Sequence, residues 1–383
     1  MSRFLFVVPP LVGHINPAVA VAAELTARGH RVAWAGLPRI VEELAGPEAQ
    51  IYACETPTEI QRPPELRGVA ALQFLWQEFF GPLAEAMAPG VEEAITDFRP
   101  DVVVADQQTL AGALVAERMG VPWATSATTS AEFADALASM PKVDEWIRDL
   151  LTGLRARIGD PGLTHDPRFS PDLVLAFTTT ALTGEAAAGP QVRFVGPALT
   201  RRPAADTFPW EWLDPDRHTV LVSLGTANTD VGARFLTECT AAVRERADRV
   251  QTVIVDPGGV LDPAHDADLL IVPRVPQLPL LERTQAVISH SGHNTVAESL
   301  WHGVPLVVAP IRDDQPVVAA QVTGAGAGVR VRFGRSNRAV IGAALDSVLD
   351  EPQYREAAIR VRDSFRTAGG AAAAAAHLEK LAV

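Results

Sequence analysis

The sequence predicts an α/β protein of two doubly wound, Rossmann-like domains facing across a cleft. Three observations carry that expectation. At 383 residues the chain is too long for one ordinary core and suits two α/β domains. Short Val- and Ile-rich runs alternate with helical stretches along both halves. The alternation stops once, at a proline-containing stretch without strand signal, and then restarts. Near-continuous apolar strands separated by helices imply parallel sheets covered on both faces.

In the first half, "FLFVV" (4–8), "RVAWAG" (31–36), "DVVVAD" (101–106), "VPWATS" (121–126) and "LVLAFT" (173–178) read as buried strands. A helix is expected over 17–29, with Asn16 as N-cap, Pro17 at its first position and Gly29 as its stop. Another spans 109–120 and ends on Gly120. Residues 66–98 read as helical and aromatic, interrupted around Gly81-Pro82 and Pro89-Gly90. Residues 1–200 thus form an N-terminal domain, and 201–218 an interdomain linker.

The second half repeats the pattern with "TVLVSLGT" (219–226), a helix over about 231–247, "VQTVIVD" (250–256), "LLIV" (269–272), "AVIS" (286–289) and "PLVVAP" (305–310). The C-terminal domain is expected over 219–365. The tail 366–383 is rich in alanine, the strongest helix former, and is expected to pack as a helix back towards the N-terminal domain.

Composition excludes several function classes. A net charge of −13, from 33 basic and 46 acidic residues, argues against a nucleic-acid partner. Cys54 and Cys239 have no CxxC spacing, which argues against a disulfide framework or thiolate zinc site and fits a reducing cytoplasm. The opening apolar run is short, is broken by Pro9-Pro10 and lacks a small-residue cleavage site, so it reads as a first strand. No apolar run approaches the ~18 residues of a membrane span.

Ligands of such sheets bind where strands end and loops lead into helices. Two loops of the second half are suggestive. In "SLGTANT" (223–229), Ser223 and Thr226 offer hydroxyls and Gly225 permits close backbone approach. In "HSGHNT" (290–295), His290 can donate to an anion, Gly292 lacks a β-carbon, and Asn294 and Thr295 sit at a helix amino end, where about half a positive charge collects. Neither loop matches a P-loop, and no GxGxxG follows the first strand. Each loop alone reads equally as a glycine-containing turn with a helix cap.

In the first half, His14 lies in the loop after the first strand, and Asp106 ends "DVVVAD" on the same sheet edge. If those strands are neighbours, carboxylate and imidazole come within hydrogen-bonding reach. For a lone histidine, simple loop packing is the alternative.

The ordered set "VPQLPLL" (275–281), His290, Gly292, Asn294-Thr295, Glu298, "GVPLVVAP" (303–310) and Asp314-Gln315 is more specific. It resembles the nucleotide-sugar signature of the large glycosyltransferase family that includes plant secondary-metabolite enzymes and bacterial antibiotic glycosyltransferases. "SLGT", "GHINP" and the "GGAAAAAAHLE" tail extend the similarity over the whole chain. The resemblance implies the two-Rossmann-domain GT-B fold.

It also implies roles. Ser223, Thr226, His290, Gly292, Asn294 and Thr295 would hold the diphosphate, and Glu298 the ribose. Arg274 and Val275 would meet the base, and Asp314 and Gln315 the donor sugar. His14 would be the catalytic base and Asp106 its supporting carboxylate. The plant enzymes commonly carry Trp at the position of Arg274; a guanidinium can also lie flat on a base. His293 falls at a variable position of the motif, as a ligand or a surface imidazole.

The implied reaction is an inverting displacement of TDP or UDP by a hydroxyl or N–H of a small hydrophobic natural-product aglycone. No metal or other cofactor is expected. "DPD" (214–216) precedes a strand and reads as a turn, not a metal motif. Trp76, Phe79, Phe80 and Phe133 are the candidate acceptor-pocket aromatics, and a homodimer is a possible assembly. The alternative is a catalytically silent, nucleotide-sugar-binding partner of another glycosyltransferase.

Overall fold

The computed structural model describes the chain except residues 58–62, 64–65, 67, 134–139, 186–187, 200–207 and 226–230. The chain divides into two compact units. The first comprises Met1–Thr179, Ala186–Thr200 and Ala368–Val383; the second comprises Thr180–Glu185 and Arg201–Thr367.

The first unit is built on seven parallel strands. They are β1 (Arg3–Val7), β2 (Arg31–Gly36), β3 (Ile51–Ala53), β4 (Val102–Asp106), β5 (Trp123–Ala127), β6 (Val174–Ala176) and β7 (Val192–Phe194), in the order β3-β2-β1-β4-β5-β6-β7. Side chains alternate across the sheet. Phe4 and Phe6 pack on one face with Ile15, Val21 and Leu25, while Leu5 and Val7 pack on the other with Leu83, Met87 and Val115. β3 and β7 were not expected from sequence: each has three residues, none of them fully buried, so the apolar run that marks a strand is missing.

The second unit has six parallel strands, β8 (His218–Ser223), β9 (Val250–Val255), β10 (Leu269–Val272), β11 (Ala286–Ser289), β12 (Leu306–Val308) and β13 (Gly328–Arg330), in the order β10-β9-β8-β11-β12-β13. In both sheets the order reverses beside the first strand, between β1 and β4 and between β8 and β11. Such a reversal separates the loops above it and opens a crevice at the carboxyl ends of the strands.

Three helices differ from expectation. The first runs from Val12 to Ala27, so His14 lies in its opening turn and Pro17 inside it. Its N-cap, Leu11, makes no side-chain capping bond, so no sequence signal marks the start. The stretch Gly68–Phe98 stays helical throughout, because a π-helical segment, Leu75–Phe80, widens the backbone ahead of Pro82. There Gly81 N–H reaches back to the Trp76 carbonyl, and the proline, lacking an N–H, enters near the start of the next helix. The third begins at His293, two residues early, with Gly292 as N-cap.

The last helix, Gly370–Leu381, belongs to the first unit. Ala374, Ala375 and Leu378 are buried against Ala18, Val21 and Leu25. Gly369 and Gly370, at φ +91° and +55°, make the break from the preceding helix, a backbone path that glycine takes at least cost. Glu379 then ties the tail down, accepting from Arg28 and His30, each at 2.9 Å.

Candidate active site

The first unit gathers chemistry at its topological reversal. β1 and β4 are hydrogen-bonded neighbours, with Phe4 opposite Val102 and Val7 opposite Ala105. The turn after β1 therefore lifts His14 over the carboxyl end of β4. His14 Nδ1 lies 3.1 and 3.0 Å from the two carboxylate oxygens of Asp106. Asp106 is buried and also accepts the Gln108 N–H at 2.9 Å.

A third residue completes the arrangement. Thr128 follows β5, the next strand in the sheet, and its hydroxyl donates to Asp106 Oδ2 at 2.8 Å. The same oxygen lies 2.7 Å from His14 Nδ1. A carboxylate only accepts, and the single hydroxyl proton of Thr128 is committed to it, so Nδ1 carries the imidazole proton. In its neutral form the ring holds its lone pair on Nε2, the tautomer of a general base. Sequence reasoning missed Thr128. The hydroxyl-rich run "ATSATTS" (124–130) beside the strand of Asp106 was the available signal.

In the second unit the reversal lies between β8 and β11, where Ser223 pairs with Ser289. His290 leaves β11 buried beside Ser223 and Gly225. Burial pushes its imidazole down to about 4, partly opposed by a hydrogen bond with the Ser223 backbone. The ring is therefore neutral at pH 7. Ser291 follows at φ +72°, an uncommon conformation for a residue with a side chain, and its N–H donates to Ser289 Oγ at 3.1 Å. The helix ladder then begins with Val296 N–H donating to the Gly292 carbonyl. The amides of residues 293–295 lie ahead of that ladder, at the positive end of the helix.

The other sequence-expected residues are placed as follows. Asn294 and Thr295 are in the first turn of this helix, and Ser223 is buried at the end of β8, its Oγ accepting the Gly225 N–H at 3.4 Å. Thr226 lies outside the described residues. Glu298 is buried and accepts from Gln277 Nε2 at 2.7 Å, which ties the Arg274–Gln277 loop to the helix. Gln277 was not singled out from sequence. Arg274 is exposed, and Val275 is half-buried. Asp314 and Gln315 begin the helix after β12, and the Gln315 side-chain oxygen accepts from Ile311 and Arg312 N–H at 2.9 and 3.1 Å. That oxygen shapes the loop, which also contains Asp313 at φ +58°. Asp214 accepts from the Asp216 N–H and from Arg217, both at 2.9 Å, within a turn.

The candidate acceptor aromatics separate into two groups. Trp76 and Phe80 are core residues, packed with Leu110, Leu114, Ile147 and Leu151, and Phe79 is half-buried against the same core. Their apolar spacing on a helix reflects that packing. Phe133 instead joins Phe169 and Phe194 in a half-buried ring cluster, with centroids 6.4 and 5.6 Å away.

Among the described residues, buried polar atoms without a hydrogen-bond partner include both amide atoms of Gln107 and the hydroxyls of Thr109, Ser126, Thr178 and Ser291. Most of them lie at or just beyond the carboxyl end of a strand, whereas Thr252, also without a partner, lies inside β9.

The comparisons agree with this geometry. Residues 189–365 match the family described as UDP-glucoronosyl and UDP-glucosyl transferase. The 4'-demethylrebeccamycin synthase of Lentzea aerocolonigenes is 29% identical over 408 aligned positions, covering 95% of this chain and 96% of the relative. Among solved structures, the glycotransferase of kitacinnamycin superposes with a TM-score of 0.81 at 24% identity, covering 99% of this chain and 98% of that one. The spinosyn rhamnosyltransferase SpnG complexed with thymidine diphosphate gives 0.79 at 21% identity, covering 99% and 100%. Among the described residues, no helix is long and apolar enough to cross a membrane. The two reversed sheets thus share the fold of the GT-B natural-product glycosyltransferases, and the second half of the chain is similar to the UDP-glucoronosyl and UDP-glucosyl transferase family.

Proposed function

We propose that the protein transfers a sugar, with inversion and without a metal, from a TDP- or UDP-sugar to a hydroxyl or N–H of a small hydrophobic natural-product aglycone. The observation that carries this reading is the His14 imidazole, fixed through Nδ1 by Asp106 and Thr128 so that Nε2 is basic. The comparison with a thymidine diphosphate complex supports a nucleotide-sugar donor.

In the proposed step, His14 Nε2 takes the acceptor proton as the acceptor atom bonds to the anomeric carbon. The bond from that carbon to the diphosphate breaks, and its electron pair leaves with the nucleotide. His14 belongs to the first unit, and the proposed diphosphate cradle to the second. A positioned base contributes on the order of 10²–10⁴-fold. Donors aimed at the leaving diphosphate act where charge grows, at a comparable or larger magnitude. His290 lines the cradle with its Nε2 edge, while the helix amino end at residues 293–295 supplies the positive potential. Asp314 and Gln315 would meet donor-sugar hydroxyls, Glu298 the ribose, and Arg274 the base.

The test is the anomeric configuration of the product formed from an α-linked TDP- or UDP-sugar and a phenolic acceptor, read by proton NMR with and without chelator. A β-linked product formed at the same rate in chelator is expected. An α-linked product, or loss of activity in chelator, would overturn the inverting or the metal-free part.

A further inference from the structure

Gly292 is the N-cap of the helix His293–Trp301, and its backbone sits at φ −61° and ψ 135°. Any L-residue adopts that extended conformation without strain. The backbone therefore gives no reason for glycine at this position, and a helix N-cap more often carries Ser, Thr, Asp or Asn. The reason lies in the neighbouring side chain. A β-carbon at 292 would lie 2.3 Å from His290 Nε2 and 2.7 Å from Cε1. Neither distance is tolerable between non-bonded atoms.

The same ring edge meets a second glycine from the other loop. A β-carbon at Gly225 would lie 2.8 Å from His290 Cε1 and 3.0 Å from Nε2. At Gly225 the backbone also favours glycine, at φ +71°. The Cε1–Nε2 edge of the imidazole thus lies close to two glycines, one after β8 and one after β11. On its other side, Nδ1 is 3.5 Å from Ser289 Oγ.

We infer that Gly292 and Gly225 are positioning residues, whose missing β-carbons fix the His290 imidazole with its Nε2 edge at the amino end of the helix, facing the donor diphosphate. This rests on the proposed nucleotide-sugar reading and refines it: Gly292 acts through His290, not as a phosphate ligand. A neutral imidazole has one N–H, and the Ser223 backbone already engages the ring, so what the Nε2 edge presents to the diphosphate depends on how the ring is seated. A charged ring would tolerate misalignment better, since attraction between charges is not directional.

The experiment is a four-corner cycle of wild type, Gly292→Ala, His290→Ala and the double variant. It is read by calorimetric binding of TDP and UDP, by thermal melting and by the carbon–proton NMR signal of the His290 ring. Gly292→Ala is expected to weaken nucleotide binding at least tenfold and to shift the His290 signal towards that of an exposed imidazole. The double variant should bind no more weakly than His290→Ala alone. It should also melt higher than Gly292→Ala, because removing the ring removes the clash. Independent, multiplying losses in the double variant would overturn the inference, as would an unshifted His290 signal in Gly292→Ala. If wild type binds neither nucleotide, the donor reading fails, while the NMR signal and the melting rescue still decide whether Gly292 places the ring.

Discussion

His14 Nδ1 lies 3.0 Å from Asp106 Oδ2 across 92 residues of sequence. The contact exists because β1 and β4 are adjacent, and β1 and β4 are adjacent because the strand order reverses there. The fold thus places a carboxylate beneath a histidine where a crevice opens.

Asp106→Asn tests what that carboxylate does. An asparagine amide can donate to Nδ1, which would favour the tautomer with its proton on Nε2 and disable the base. Turnover should fall by about 10²–10⁴-fold, in line with the same change in serine-protease triads. Nucleotide affinity should stay within about twofold, measured by calorimetry. An equal loss of affinity and turnover would point to a folding defect.

Thr128 is expected to matter through its hydroxyl alone. Thr128→Val removes a bond to a charged group at nearly constant shape, worth about 1.5–3 kcal/mol, or roughly ten- to a hundredfold in kcat. Thr128→Ser should recover most of the rate. Equal activity of the valine and serine variants would remove Thr128 from the assembly.

How much of this was legible beforehand differs by element. The buried strands announced themselves because near-continuous apolar runs such as "DVVVAD" have no other good reading. The edge strands β3 and β7 did not, being short and partly exposed. Helix starts were misplaced where Leu11 and Gly292 cap without a side-chain bond, and Pro17 supplied a false start signal. His14, Asp106 and His290 stood out as chemistry-bearing residues at strand ends. Thr128 and Gln277 did not, since their importance comes from packing against a partner far away in sequence. For the aromatics of the helix 75–80 the sequence left two readings, and Trp76 and Phe80 pack in a core.

Part of the pH dependence of stability follows from His290. Its folded value, about 4, lies below the ordinary 6.5, so the unfolded chain takes up the proton first as pH falls. The contribution is complete above pH 6.5 and is lost between 6.5 and 4, amounting to roughly 3 kcal/mol. Melting temperatures from pH 7.5 to 4.5 should fall more steeply for wild type than for His290→Gln. Parallel slopes would contradict a buried neutral imidazole.

Both thiols should be inert in the folded protein. Burial pushes the Cys54 thiol up to about 12 and raises that of Cys239 as well, so neither forms thiolate at neutral pH. Intact-mass measurement after iodoacetamide at pH 8 should show no adduct without denaturant and two with it. Rapid single labelling of native protein would contradict this burial.

The most direct test of His14 as the base is His14→Ala, assayed in parallel for TDP and UDP binding and for sugar transfer to a phenolic acceptor. Binding that matches wild type, with transfer reduced by at least about 10²-fold, is the predicted result. Transfer within a few-fold of wild type by a well-folded His14→Ala protein would contradict it, and the base would have to be sought elsewhere.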